Sequence, residues 1–117
     1  MAINTQELFD LKAGQYSTTS QSEDFNREFF YCLIRVCNDL SGPRVGIDVS
    51  APESLEENLD LDVDKYFGVV CDGLDAYLTS TGRWGQTDPK TAMDTYNTSI
   101  RRARTQYQID NPPTTRY

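Results

Sequence analysis

Between positions 23 and 40 the apolar side chains recur at steps of three and four: Phe25, Phe29, Cys32 or Leu33, Val36, Cys37, Leu40. That is the period of an α-helix with a buried stripe. Arg27, Glu28, Arg35 and Asp39 fall mostly on the other side. Phe30 and Ile34 widen the apolar face, so this helix packs on two sides or shows a strip to a partner. Gly42-Pro43 stops it, glycine as a C-cap and proline because it cannot continue the hydrogen-bond ladder. A second helical stripe runs over 63–80, through Val63, Tyr66, Phe67, Val70, Gly73 or Leu74, Tyr77 and Leu78. Asp62 or Asp64 stands at its start, where a carboxylate accepts backbone N–H bonds and favours the helix dipole. Gly73 lies on the core face, at a cost of about 1 kcal/mol against Ala, which points to close approach by another helix. Gly82 ends the segment.

A third helix, 89–109, opens on Asp88 as N-cap and Pro89 at the first helical position. Its stripe is Met93, Tyr96, Ile100, Ala103 and Tyr107, with Arg101, Arg102 and Arg104 toward the C-terminal end, where they favour the dipole. Asn111-Pro112-Pro113 terminates it, and 110–117 reads as an extended tail. A short helix over 5–12 buries Leu8, Leu11 and Phe9 and ends at Gly14, followed by a polar linker at 15–22. There Ser20 and Glu23 have capping-box spacing, with Ser22 as the other candidate cap. Between the first two long helices the period changes. Val45, Ile47 and Val49 alternate with polar or small residues, as do Leu59, Leu61 and Val63, around a turn at Ala51-Pro52-Glu53-Ser54. Alternation is a strand signal, so 44–61 is expected to form a β-hairpin or an extended loop. The expected fold is therefore mainly α: a small bundle of three long helices plus a short N-terminal one. Residues 1–109 form one domain, packed around Phe25, Phe29, Val36, Tyr66, Phe67, Val70, Leu74, Met93, Tyr96 and Ile100.

Length supports one domain, since 117 residues bury a core without staples and are too few for two ordinary domains. The longest apolar run, Phe29 to Ile34, is far short of the ~20 residues of a membrane span. The opening residues lack a basic stretch followed by an apolar one, so no signal peptide and a cytoplasm-like compartment are expected. Cys32, Cys37 and Cys71 lie in apolar helical segments and contain no C-x-x-C pair, which favours buried reduced thiols over a Cys37–Cys71 disulfide.

Candidate chemistry is sparse. The chain has no histidine, which removes Ser-His and Cys-His catalysis and the common metal ligand together. Asp60, Asp62 and Asp64 suggest a calcium loop, but the glycine position of that loop holds Lys65 and its bidentate glutamate position holds Cys71. A strand leading into a capped helix accounts for them better. Asp64, Asp72 and Asp75 share a helix row that lacks the further ligands of a metal site; a solvated face or a protein-docking face remains. Asn97-Thr98-Ser99 fits a glycosylation acceptor only by spelling, because it lies in mid-helix. No glycine-rich phosphate loop is present. Trp84, between Arg83 and Gly85, either lids the core or anchors a partner. No enzyme activity, metal or cofactor is expected.

Three stretches resemble the head-to-tail adaptor (connector, or neck) proteins of tailed bacteriophages: Glu23-Asp24-Phe25-Asn26-Arg27-Glu28-Phe29; Leu61-Asp62-Val63-Asp64-Lys65-Tyr66 leading into Gly73-Leu74-Asp75-Ala76-Tyr77-Leu78 and a Gly-Arg-Trp turn; and the basic C-terminal helix with its proline-bearing tail. The resemblance covers roughly 23–117. It implies a structural virion protein, assembled in the host cytoplasm, whose copies form a ring joining the portal protein to a tail or neck protein. DNA can pass through such a ring without being bound specifically.

Charge adds a mode of association. Residues 1–82 carry 5 basic and 15 acidic groups, residues 83–117 carry 6 and 3, and the whole chain is −7. An acidic body binds nucleic acid poorly, whereas unlike patches on one chain suit head-to-tail contact. The expected contact sets Asp64, Asp72 and Asp75 of one copy against Arg101 and Arg102 of the next. Phe30, Ile34 or Trp84 would add apolar surface, and Arg116 and Tyr117 would tether the tail to a partner. The rival expectation is an acidic inhibitor that mimics DNA and occupies a nucleic-acid-binding protein. The basic third helix counts against it.

Overall fold

A computed structural model describes residues 2–15, 23–43, 45–80 and 88–111. The elements in chain order are β1 (Ala2–Ile3), α1 (Thr5–Gln15), α2 (Glu23–Ser41), β2 (Leu59–Asp62), α3 (Val63–Ser80) and α4 (Pro89–Asp110). The protein is mainly helical, a small bundle with one two-stranded antiparallel sheet. No helix among the described residues is long and apolar enough to cross a membrane.

The three long helices follow their stripes. Phe25, Phe29, Leu33, Val36 and Leu40 of α2 are fully buried, as are Val70, Leu74 and Leu78 of α3, while Tyr96, Ile100 and Ala103 of α4 are nearly so. Phe67 and Met93, expected inside, are half-buried and pack on the core from its edge. α3 is the central element, with α4, α2 and the strands all against it. α4 opens as its sequence indicates. The Asp88 carboxylate accepts from the Thr91 N–H at 3.3 Å and from the Thr91 hydroxyl at 3.1 Å, and Pro89 follows at the first helical position. α1 is fastened to α2 through rings: Phe9 lies 5.5 Å from Phe25 and 5.0 Å from Phe29, the latter edge-on.

Several expectations are corrected. α1 continues through Gly14 to Gln15. Leu11 is 48% exposed, and the side chain that turns inward beside Leu8 and Phe9 is Lys12, at 2%. The helical period decides this, since Lys12 follows Leu8 by four and Phe9 by three. Of the two forms expected for 44–61, a hairpin or an extended loop, residues 45–58 take the loop. Val45, Ile47 and Val49 are buried and their neighbours exposed, yet this stretch is an extended loop with no strand beside it. Its anchor is the Ile47 N–H, which donates to the Leu40 carbonyl at 2.9 Å. Alternating burial arises wherever extended backbone lies over a core, with or without a ladder. The strand that does form, β2, pairs with β1, matching Ala2 to Asp62 and Ile3 to Leu59 across an irregularity. A two-residue strand carries no readable period. α2 stops at Ser41, directly before Gly42-Pro43, and among the described residues the glycine at positive φ is Gly46, at 82°. α4 reaches Asp110, one residue beyond its expected end. Trp84, Arg116, Tyr117, Gly82 and the Ser20 and Ser22 caps lie outside the described residues.

Gly73 meets its expectation. A Cβ there would stand 2.6 Å from Val36 Cγ2 and 2.8 Å from Tyr96 Cε1, so three helices converge on a position with no room for a methyl group. Gly73→Ala gains about 1 kcal/mol of helix propensity but must open two contacts. Overpacking of this kind typically costs about 1–3 kcal/mol. We expect a lower melting temperature for Gly73→Ala and partial recovery on adding Val36→Ala. An unchanged melting temperature in the single variant would show that the crossing has slack.

Candidate functional site

Two polar clusters and one groove hold nearly all the chemistry of the described bundle. The first forms where α2, α3 and α4 meet. Asp39, half-buried, accepts hydrogen bonds from the Tyr77 hydroxyl and, at 2.8 Å, from the Tyr96 hydroxyl. The two phenol rings meet edge to face with centroids 5.6 Å apart. The Arg35 guanidinium carbon lies 4.2 Å above the Tyr77 ring, a cation–π arrangement. Burial, then the hydrogen bond to Asp39, pushes Tyr77 up to about 12. Tyr96 is driven up further, by the same two causes in the same order. Both phenols therefore stay protonated donors, and the cluster generates no nucleophile.

The second cluster joins α1 to α3. The ammonium group of buried Lys12 donates to Asp75 at 2.8 Å and to the Gln15 side-chain carbonyl at 3.1 Å. The Gln15 amide closes the ring by donating to the same Asp75 oxygen at 3.0 Å. Nearby, the Ser99 hydroxyl of α4 donates to Asp72.

The groove runs between α3 and α4. It encloses about 280 Å³ and is lined by Lys65, Gly68, Val69, Asp72, Ser99, Arg102, Ala103 and Gln106. At its end Lys65 and Asp110 pair at 2.9 Å in solvent, which raises the lysine and lowers the carboxylate. Among the described residues no group of three or more Cys, Asp or Glu is placed to hold a metal ion. The calcium-loop aspartates instead lie in β2 and the first turn of α3, where Asp62 accepts from the Asp64 N–H at 3.1 Å. The thiols are free. Burial pushes Cys32 up to about 12 and Cys37 and Cys71 up to about 11, so none is a ready thiolate.

The expected acidic docking row is thereby changed. Asp64 is exposed, but Asp75 belongs to Lys12 and Asp72 to Ser99, so the row is not a free charged face. Asp72 also shares its groove with Arg102, which brings acidic and basic members of the expected contact together within one chain. Arg101 and Arg102 are exposed on α4. Lys12, Asp39, Tyr77 and Tyr96 were not singled out as polar sites from the sequence. Lys12 had a signal in its helical spacing. Asp39 had none beyond the general need of buried phenols for acceptors. No known protein family, curated protein sequence or solved structure matches the chain.

Two predictions follow from the clusters. Removing Asp75 strands a buried ammonium ion, which typically costs about 3–5 kcal/mol. Lys12→Met keeps the volume and leaves the carboxylate partly hydrated, so in urea denaturation Asp75→Ala should lose clearly more stability than Lys12→Met. The opposite ranking would remove the pair from the fold's determinants. For Tyr77, an unfolded phenol releases its proton near pH 10, whereas the native one holds it to about 12. Between those values the unfolded state binds fewer protons, so stability is complete below pH 10 and falls as pH rises through 12. The urea midpoint should drop across that window, less steeply in Tyr77→Phe.

Proposed function

We propose that this protein is a non-catalytic structural subunit of the head-to-tail adaptor kind, working as a ring of copies between a portal protein and a tail or neck protein. The observation that carries the reading is an exposed apolar strip on α2. Tyr31 is 58% and Ile34 41% exposed, one helical turn apart, beside half-buried Phe30. Exposed aromatic and branched side chains grouped on a rigid helix suit a protein partner, because interface cores favour such residues over charged ones. The strip lies within the helix that opens on the adaptor-like segment Glu23–Phe29. The half-buried carboxylates Asp39, Asp72 and Asp75 are taken up by Tyr77, Tyr96, Ser99 and Lys12, and no free acid–base pair or activated nucleophile among the described residues suggests turnover. The DNA-mimic alternative drew on the Asp64, Asp72 and Asp75 row, of which Asp72 and Asp75 are hydrogen-bonded within the fold, and the exposed Arg101, Arg102 and Arg104 of α4 would repel a basic partner.

Light scattering across a concentration series, with negative-stain micrographs, tests this. We expect concentration-dependent assembly into closed rings. Tyr31→Asp with Ile34→Asp should return the protein to monomers while leaving the melting temperature within a few degrees of the parent. A monomer at every concentration and in every micrograph would defeat the ring reading.

A further inference from the structure

One long stretch of this chain is acidic without relief. Residues 45–64 contain seven acidic and no basic residues. Within it Asp48, Glu53, Glu56 and Asp60 are exposed, and their side chains have no ion partner among the described residues. The backbone around them is fixed from beneath. Val45, Ile47, Val49 and Pro52 are buried, and the Glu57 carboxylate accepts the Glu53 N–H. The result is a held concavity of about 350 Å³, lined by Asp48, Pro52, Glu57, Asn58 and Asp60 among others.

The outer face of α4 has the opposite character. Residues 95–109 contain three arginines and no acid. Arg101, Arg102 and Arg104 are exposed, again without an ion partner among the described residues. Thr98, Arg102, Thr105 and Ile109 follow one another at steps of four and three, so they share one face of the helix. With Arg101 they line a shallow groove of about 300 Å³. Ile109, 68% exposed, is the most exposed large apolar side chain of the described residues.

We propose that these two surfaces are the halves of one heterologous contact, in which the 48–60 loop of one copy receives Arg101 and Arg102 of the next. The inference deepens the ring reading and depends on it, and it moves the acidic half away from the α3 row. Arginine suits the role. Its planar fork of donors matches carboxylates two at a time, and its weak hydration eases transfer into a groove. Because the two patches differ, a docked pair retains one free patch of each kind, so the contact propagates and closes into a ring where its rotation permits. Exposed charge pairs chiefly set orientation and encounter rate, while Ile109 and the α2 strip supply apolar area.

Complementary charge reversals test it. Asp48→Lys with Asp60→Lys makes one variant, Arg101→Glu with Arg102→Glu the other; all four positions are exposed, and circular dichroism and melting check that both remain folded. Light scattering should show at least a tenfold rise in the concentration each variant needs to assemble. An equimolar mixture should form mixed dimers, since each variant keeps one parental patch and the two altered patches complement each other, and assembly should resume. Parental assembly should weaken as salt rises. If the parent assembles and neither variant changes it, this contact is wrong and the ring reading stands. If the parent never assembles, both fall. If the parent stays monomeric and binds a DNA duplex through Arg101 and Arg102, the basic face serves phosphates and the proposal is overturned.

Discussion

The arrangement of this bundle depends on how closely three helices approach at Gly73. With no side chain there, Val36 of α2 and Tyr96 of α4 both come within van der Waals reach of the α3 backbone. That proximity sets the distance between α2 and α4 across α3. It also brings the Tyr77 and Tyr96 hydroxyls to a single carboxylate, Asp39. A bulkier residue at 73 would separate the helices, and the phenols would lose either their shared acceptor or their edge-to-face contact.

Around that crossing the fold spends its polar groups on positioning. Asp39 links α2 to both α3 and α4, Lys12 and Asp75 link α1 to α3, and Ser99 and Asp72 link α4 to α3. Each bond joins residues distant in sequence and is at least half removed from water. A carboxylate with two phenol donors, or a buried ammonium ion with two acceptors, restricts which packings are satisfied, because any other packing strands a polar group. Burial and the bonds to Asp39 also hold the Tyr77 and Tyr96 hydroxyls protonated.

Activity, on the proposed reading, belongs to what remains outside. The exposed side chains of the α2 strip, of the arginine face of α4 and of the acidic 45–64 segment lie outside the core, although the 45–64 backbone is anchored in it by Val45, Ile47, Val49, Leu59 and Leu61. Their distribution over different elements lets one chain present unlike patches to successive neighbours. Charge of this kind contributes orientation more than strength, and the apolar residues beside each patch supply area.

The helices were legible because burying a stripe on a 3.6-residue period dictates both the secondary structure and the side that faces inward. Phe25, Phe29 and Val36, or Val70 and Leu74, leave no other geometry. Asp88-Pro89 was legible for a more local reason, since a cap and a fixed φ act within one turn. The period also marked Lys12, but its charge hid the signal, because an ammonium ion is buried only where a partner waits, and Asp75 lies 63 residues away. The pairing of β2 with Ala2 and Ile3, the loop at 45–49 and the twofold use of Asp39 were decided by tertiary structure alone. In each case the determining partner is remote in sequence, so no local pattern encodes it. The sequence by itself determined which faces turn inward; only the assembled bundle decided which charges stay free for another molecule.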